Sequence, residues 1–162
     1  MADLLERVHR LLRDTGSTIA TAESLTGGRL GVALTDVPGA SETYVGGVVT
    51  YATELKASLL GVDERLIAEH GVVSPECARA MADGVRSLSG ATYGLSTTGV
   101  AGPADQEGKP PGTVFVGITG PGVSEAVALE LHGKRHQIQD RATKEAFTAF
   151  AAVLLREETT LG

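Results

Sequence analysis

The sequence contains few of the residues that form disulfides, bind metals or build aromatic cores. Its 162 residues include one cysteine, four histidines, three phenylalanines, three tyrosines and no tryptophan. The lone Cys77 excludes an intramolecular disulfide, and the four histidines are too scattered along the sequence to favour a structural zinc site. We expect no metal, a buried Cys77, and a core built mainly from Val, Leu, Ile and Ala.

Charge and hydropathy exclude further classes of protein. The formal net charge is -6, which argues against a general nucleic-acid binder, because such proteins need a basic face to neutralise phosphates. No apolar run approaches the length of a membrane-spanning helix, and residues 1–14 are amphipathic and charged, unlike a signal peptide. We therefore expect a soluble cytoplasmic protein without a membrane or nucleic-acid partner. A small anionic ligand is still compatible with this composition, because a local pocket can be positive.

The alternation of helical and β patterns predicts an α/β fold, a three-layer α/β/α sandwich with a mixed sheet. The length fits one domain over residues 1–162. Helical spacing or capping predicts helices at 3–14, 26–35, 53–59, 63–69, 75–88 and 136–157. Strands are predicted at 18–22, 44–51, 93–98, 113–119 and 124–131. A loop is predicted at 99–112 and a hairpin turn at Gly120-Pro121-Gly122.

The segment Glu23-Ser24-Leu25-Thr26-Gly27-Gly28 joins a predicted strand to a predicted helix. The first backbone N–H groups of a helix have no intrahelical partner, and glycines allow a substrate to approach them. We expect Ser24 to be a nucleophile and the N–H groups from Thr26 to Gly28 to hold an oxyanion. On these residues alone, a serine that only caps its helix is the simpler interpretation.

A serine nucleophile needs a base, and nothing in the sequence places a histidine near Ser24. Lys56, in Tyr51-Ala52-Thr53-Glu54-Leu55-Lys56, could be that base in a Ser-Lys pair, and Tyr51 could orient it or relay a proton. The alternative is that Lys56 is an exposed helix residue and Tyr51 belongs to the core. A distance of roughly 2.6 to 3.2 Å from Ser24 Oγ to Lys56 Nζ would support the pair, and side chains on different faces would refute it.

Two further segments are candidates for substrate binding. The first, Ser96-Thr97-Thr98-Gly99-Val100-Ala101-Gly102-Pro103, leaves a strand through small residues, as ligand-facing edges of α/β sheets often do. The second, Gly133-Lys134-Arg135-His136, precedes the last helix, and Arg135 could bind a phosphate. The alternatives are a plain strand exit and a solvated charge cluster.

Together, five segments resemble the CinA C-terminal domain family, also called PncC, the nicotinamide mononucleotide deamidases. They occur in the order of the family and extend over most of the chain. They are TAESLTGG (21–28), GGVVTYATELKASLLGV (46–62), HGVVSPECARAMA (70–82), TTGVAGP (97–103) and PPGTVFVGI (110–118).

This resemblance implies an amidohydrolase without a cofactor, which converts nicotinamide mononucleotide and water to nicotinate mononucleotide and ammonia. It implies a Ser-Lys mechanism in which Ser24 is the nucleophile and Tyr51 and Lys56 form the Tyr-Lys pair. It also implies that Thr98 and Arg135 bind the substrate, a pyridine mononucleotide, with Thr26, Gly27, Gly28, Gly99 and Gly102 as further binding positions. By analogy with the family, the protein forms homo-oligomers.

The sequence departs from the pattern of the family near the substrate. Tyr51-Ala52-Thr53 stands where the family has Tyr-Ser-Asn, Gly133-Lys134-Arg135 stands where it has Gly-Asp-Arg, and Gln139 occupies a basic position. Neither Ser24 nor Lys56 is affected. The departures leave open hydrolysis of another amide or of a phosphorylated metabolite, and a non-catalytic nucleotide-binding or competence- and damage-associated module.

Overall fold

The computed structural model describes residues 1–161 and has an α/β architecture around a mixed five-stranded sheet. The strand order is β2-β1-β3-β4-β5. Strand β1 pairs in parallel with both β2 and β3, whereas β4 is antiparallel to β3 and β5. The strands are β1 (Ile19–Glu23), β2 (Tyr44–Val49), β3 (Tyr93–Gly99), β4 (Thr113–Gly120) and β5 (Val123–Glu130). The predicted mixed sheet is confirmed, and the predicted hairpin turn joins β4 to β5.

Helices cover both faces of the sheet and complete the three predicted layers. One buried cluster joins Leu12, Leu30 and Phe147 on one face, and a second joins Leu60, Met81 and Val85 on the other. None of the helices in residues 1–161 is long and apolar enough to cross a membrane. The helices are α1 (Ala2–Asp14), α2 (Arg29–Thr35), α3 (Thr53–Ser58), α4 (Glu64–His70), α5 (Pro75–Ser89) and α6 (Arg135–Leu161), and a 3₁₀ turn spans Ala40–Glu42.

Helix α5 lies directly on the sheet because two strand positions lack side chains. A Cβ atom at Gly94 or at Gly117 would collide with the backbone of α5. The start of this helix is fixed as predicted, since Ser74 accepts a hydrogen bond from the Cys77 N–H at 3.1 Å and Pro75 occupies the first turn. Cys77 is fully buried, as expected.

Helix α2 begins three residues later than the sequence predicts. Gly27 and Gly28 have φ angles of 58° and 105°, which lie outside the right-handed helical region. Thr26 to Gly28 therefore form a loop between β1 and α2. The predicted strand 44–51 also ends early, at Val49, so the carbonyl groups of Thr50 and Tyr51 lie outside the sheet.

Candidate active site

Ser24 and Lys56 meet at the carboxyl end of β1. Ser24 follows this strand directly, and Lys56 lies in the short helix α3. Lys56 Nζ is 3.1 Å from Ser24 Oγ, within the range that the sequence analysis requires of a Ser-Lys pair. The alternative of an exposed lysine is wrong, because Lys56 is 1% exposed and Ser24 is 8% exposed.

The Lys56 nitrogen has three oxygen neighbours, which match the three N–H groups of an ammonium. Besides Ser24 Oγ, they are the backbone oxygens of Thr50 at 2.6 Å and Tyr51 at 3.4 Å. No carboxylate among the described residues forms an ion pair with Lys56. When Lys56 is protonated, its charge is therefore stabilised by dipoles rather than by a counter-ion.

Burial lowers the pKa of Lys56 below the ordinary value of a lysine. Three groups oppose this shift in the pKa, in the order Cys77, Glu107 and Glu54. Burial also raises the pKa of the Cys77 thiol to about 11, so Cys77 is neutral at pH 7. At that pH the opposing charges are the two carboxylates, and Lys56 is neutral in a larger fraction of molecules than an exposed lysine is.

Glu23 organises the loop that carries Ser24, a role that the sequence analysis did not assign. Its carboxylate is 3% exposed and accepts four hydrogen bonds. An anion at the start of a helix satisfies N–H groups that lack intrahelical partners and interacts favourably with the helix dipole. The signal in the sequence was an acidic residue just before a glycine pair and a helix. The donors are Thr26 Oγ1 at 2.7 Å and the N–H groups of Gly28 at 3.1 Å, Leu30 at 2.9 Å and Gly31 at 3.2 Å.

The prediction that the Gly27 and Gly28 N–H groups hold an oxyanion is corrected here, because both groups already donate hydrogen bonds within the loop. The Gly27 N–H donates to Ser24 O at 3.1 Å, and the Gly28 N–H donates to Glu23. Neither glycine, nor Thr26, is part of the cavity wall beside Ser24. The N–H groups of the two glycines and the hydroxyl of Thr26 are thus used by the turn of the chain and by the buried carboxylate.

Leu25 takes the place that the glycines were expected to fill. It lines the cavity next to Ser24, and its N–H donates to no other group among the described residues. Its carbonyl oxygen accepts a hydrogen bond from Gln139 Nε2 at 3.0 Å, which fixes the orientation of the following peptide group. The Leu25 N–H is therefore a free backbone donor directly after the serine, and the residue after the nucleophile supplies an oxyanion donor in α/β-hydrolases.

A cavity of about 340 Å³ opens beside Ser24 and Lys56. Its walls contain four of the predicted binding residues, Thr98, Gly99, Gly102 and Arg135. The loop of residues 99–106 forms one wall, and Tyr51 and Thr53 lie at another. In the described part of the chain, no three His, Cys, Asp or Glu side chains are grouped so that they could hold a metal ion.

Arg135 closes the mouth of this cavity. Its guanidinium donates to Gly102 O at 2.5 Å and to the Tyr51 hydroxyl at 2.9 Å. The alternative of a core tyrosine is wrong, because Tyr51 is 60% exposed. Lys56 is contacted by the backbone oxygen of Tyr51 and not by its phenol, which differs from the expectation that the side chain orients the lysine.

Thr98 is less free than a substrate-binding hydroxyl was expected to be. It is 1% exposed, and its Oγ1 donates to Val72 O at 2.7 Å. The oxygen can still accept a hydrogen bond from a ligand, because a hydroxyl has two lone pairs. Lys134 lies outside the cavity wall, and its backbone N–H donates to Gln137 Oε1 at 2.8 Å.

Comparison with known proteins identifies relatives over nearly the whole chain. The family model described as the CinA C-terminal domain matches residues 1–154. A CinA-like protein of Frankia casuarinae is 55% identical over 136 residues, which are 84% of this chain. A CinA-like protein of Gloeobacter violaceus is 48% identical over 149 residues, or 91% of this chain. The matched regions are 31% and 34% of those relatives, so the chain spans about a third of their length.

Solved structures show the same fold. The competence damage-inducible protein A of Klebsiella pneumoniae superposes with a TM-score of 0.92 at 33% identity, covering 95% of this chain and 96% of that one. The competence/damage inducible protein CihA of Agrobacterium tumefaciens gives a TM-score of 0.85 at 30% identity, covering 93% and 94%.

Proposed function

Since the chain belongs to the CinA C-terminal domain family, we propose that it is an amidohydrolase that converts nicotinamide mononucleotide and water to nicotinate mononucleotide and ammonia. The observation that carries this proposal is the buried Lys56 Nζ, 3.1 Å from Ser24 Oγ and facing the same cavity. A buried lysine without a counter-ion is costly for a fold, and a base for the adjacent serine is a reason to keep it.

The neutral form of Lys56 fits the site as a base. An uncharged amine has two N–H groups and one lone pair. Thr50 O and Tyr51 O accept the two N–H groups, which leaves the lone pair for the proton of Ser24. As Ser24 Oγ bonds to the carboxamide carbon, its proton moves to Lys56, and the resulting ammonium keeps the same three oxygen neighbours.

Acyl transfer and hydrolysis then follow with the same groups. The carbonyl electrons move to an oxyanion, which the Leu25 N–H stabilises. When the carbon–nitrogen bond breaks, the leaving group takes the proton of Lys56 and departs as ammonia. A water molecule next gives a proton to Lys56 and attacks the acyl-enzyme, and the proton returns to Ser24 as nicotinate mononucleotide is released. The positive pyridinium ring withdraws electrons from the carbonyl carbon and favours both attacks.

The phosphate of the substrate would bind at the mouth of the cavity. Arg135 is the cation there, and a phosphate would take over guanidinium donors that now serve Gly102 and Tyr51. Of the three departures from the family pattern, the two that concern charge supply no second cation: Lys134 lies outside the wall, and Gln139 is uncharged and donates to Leu25 O. Oligomerisation and a cytoplasmic location stay predictions of the sequence.

Ammonia release and a trapped intermediate test the proposal. We expect the purified protein to release ammonia from nicotinamide mononucleotide and Ser24→Ala to lose on the order of 10³-fold or more in kcat. An adduct on Ser24 with the mass of the whole nicotinate mononucleotide acyl group, found by mass spectrometry after rapid quenching, would identify the acyl-enzyme. Ser87→Ala, an exposed serine on α5, is the matched control and should retain full turnover.

The same assay separates the rival functions. Much faster hydrolysis of the mononucleotide than of nicotinamide riboside would support the phosphate site, whereas equal rates would point to another amide. Wild-type turnover in Ser24→Ala would end the proposed mechanism. A protein that binds the mononucleotide but releases no ammonia would be a binding module.

A further inference from the structure

The side chain of Glu107 joins the cavity loop to the segment before α5. Glu107 lies between β3 and β4, directly after the wall of residues 99–106. Its Oε2 accepts the Val72 N–H and its Oε1 accepts the Val73 N–H, each at 2.9 Å. Both oxygens of one carboxylate thus bind two successive backbone amides, an arrangement that fixes the loop in position and direction.

We propose that Glu107 is a positioning residue, which holds the wall of residues 99–106 against Val72 so that this wall stays facing Ser24. This inference rests on the proposed amide hydrolysis. Glu107 does not contact the reacting atoms; it acts through the loop and through Val72.

The geometry around Glu107 supports this role in two ways. Glu107 has a φ of 54° and is the only non-glycine residue with a positive φ in the described chain, a conformation that persists where contacts stabilise it. The facing residue is Gly71, where a Cβ would collide with the Glu107 carboxylate. Both sides of the contact therefore have local backbone suited to a close approach.

Val72 connects this contact to the substrate side of the cavity. Val72 itself lines the cavity, and its carbonyl oxygen accepts the hydroxyl of Thr98. The backbone of Val72 is consequently held at its N–H group by Glu107 and at its carbonyl group by Thr98 near the end of β3. Loss of the first contact would loosen Val72 and the loop together.

The charge of Glu107 also reaches the base. Cys77 from α5, when ionised, Glu107 from the loop and Glu54 from α3 raise the pKa of Lys56 against the larger effect of burial, and at pH 7 only the two carboxylates carry charge. Removal of the Glu107 charge should therefore lower the pKa of Lys56. The titration of Lys56 therefore reports the charge of Glu107, separately from its contact with Val72 and Val73.

Three variants separate the two effects. Glu107→Gln removes the charge and keeps one acceptor oxygen, Glu107→Ala removes both, and Glu54→Gln removes a charge that acts on Lys56 but makes no contact with the loop. The measurements are the titration of the Lys56 side chain by NMR, amide hydrogen exchange at Val72 and Val73, and kcat and KM against pH. The first two need no turnover.

We expect Glu107→Gln and Glu54→Gln to shift the Lys56 titration to lower pH. Only the Glu107 variants should speed exchange at Val72 and Val73, and Glu107→Ala should lower kcat/KM on the order of 10- to 100-fold, chiefly through KM. Unchanged exchange and KM in Glu107→Ala would overturn the inference. A wild-type protein that releases no ammonia would overturn the proposed function instead, while exchange at Val72 and Val73 would still decide whether Glu107 fixes the loop.

Discussion

Glu23→Gln should destabilise the fold far more than its small change in shape suggests. The glutamine amide keeps one oxygen for the donors that now reach Oε1, but it places an NH₂ group opposite the Gly31 N–H, which donates to Oε2. An orphaned buried N–H costs about 1–3 kcal/mol, and loss of a partly buried charge at a helix start costs up to about 2 kcal/mol. We expect a loss of about 3 kcal/mol in the free energy of unfolding.

Equilibrium unfolding in urea and thermal unfolding measure this loss. For a chain of this size, about 3 kcal/mol corresponds to a decrease of about 6–12 °C in Tm, with an unchanged urea m-value. Glu6→Gln, an exposed carboxylate on α1, is the control and should change stability by less than about 0.5 kcal/mol. If the two variants unfold alike, the four hydrogen bonds of Glu23 do not stabilise the loop that carries Ser24, and the reasoning fails.

Three more predictions concern the base, the mouth of the cavity and a buried histidine. Because only neutral Lys56 can accept the proton of Ser24, kcat should rise with pH through the lowered pKa of Lys56 and then level off. Lys56→Arg stays protonated and should be inactive at every pH. A kcat that does not change with pH would argue against the lysine base. Arg135→Ala should raise KM for the mononucleotide on the order of 10-fold or more, as expected for a lost charged hydrogen bond, with little change for the riboside; equal effects on both would remove the phosphate from this position. Burial lowers the pKa of His9, so the unfolded state binds more protons than the folded state between that pKa and about 6.5. The free energy of unfolding should therefore fall as the pH drops through this interval. Urea titrations at several pH values should show this fall in the wild type and a smaller one in His9→Gln.

The elements could be predicted from the sequence because their patterns are local. Capping at Ser74 and Pro75 fixes the start of α5, and the Pro121-Gly122 turn joins two alternating strands, so both features follow from neighbouring residues. The pairing of Ser24 with Lys56 is different, since these residues are 32 positions apart in sequence. It was predicted through the resemblance to a family, and local spacing alone favoured a helix cap.

The contacts that the sequence could not predict are hydrogen bonds for which several equivalent donors and acceptors were available. Residues 26–28 looked like free donors, but the sequence does not say that the Glu23 carboxylate turns back to accept from this loop. Likewise, a charge cluster around Arg135 does not indicate that its guanidinium reaches Tyr51. Which donor meets which acceptor depends on tertiary packing, because several groups in these segments could form the same hydrogen bonds.

The placement of the site across the sheet has a consequence for synthesis on the ribosome. Ser24 and Lys56 emerge early, but β3, which pairs with β1, and the loop that walls the cavity emerge later, and Arg135 begins the last helix. Until those parts fold, the burial that lowers the pKa of Lys56 is incomplete. Under the proposed mechanism, a nascent or truncated chain would therefore carry the serine without its base, and the pair would become active only when the fold is complete.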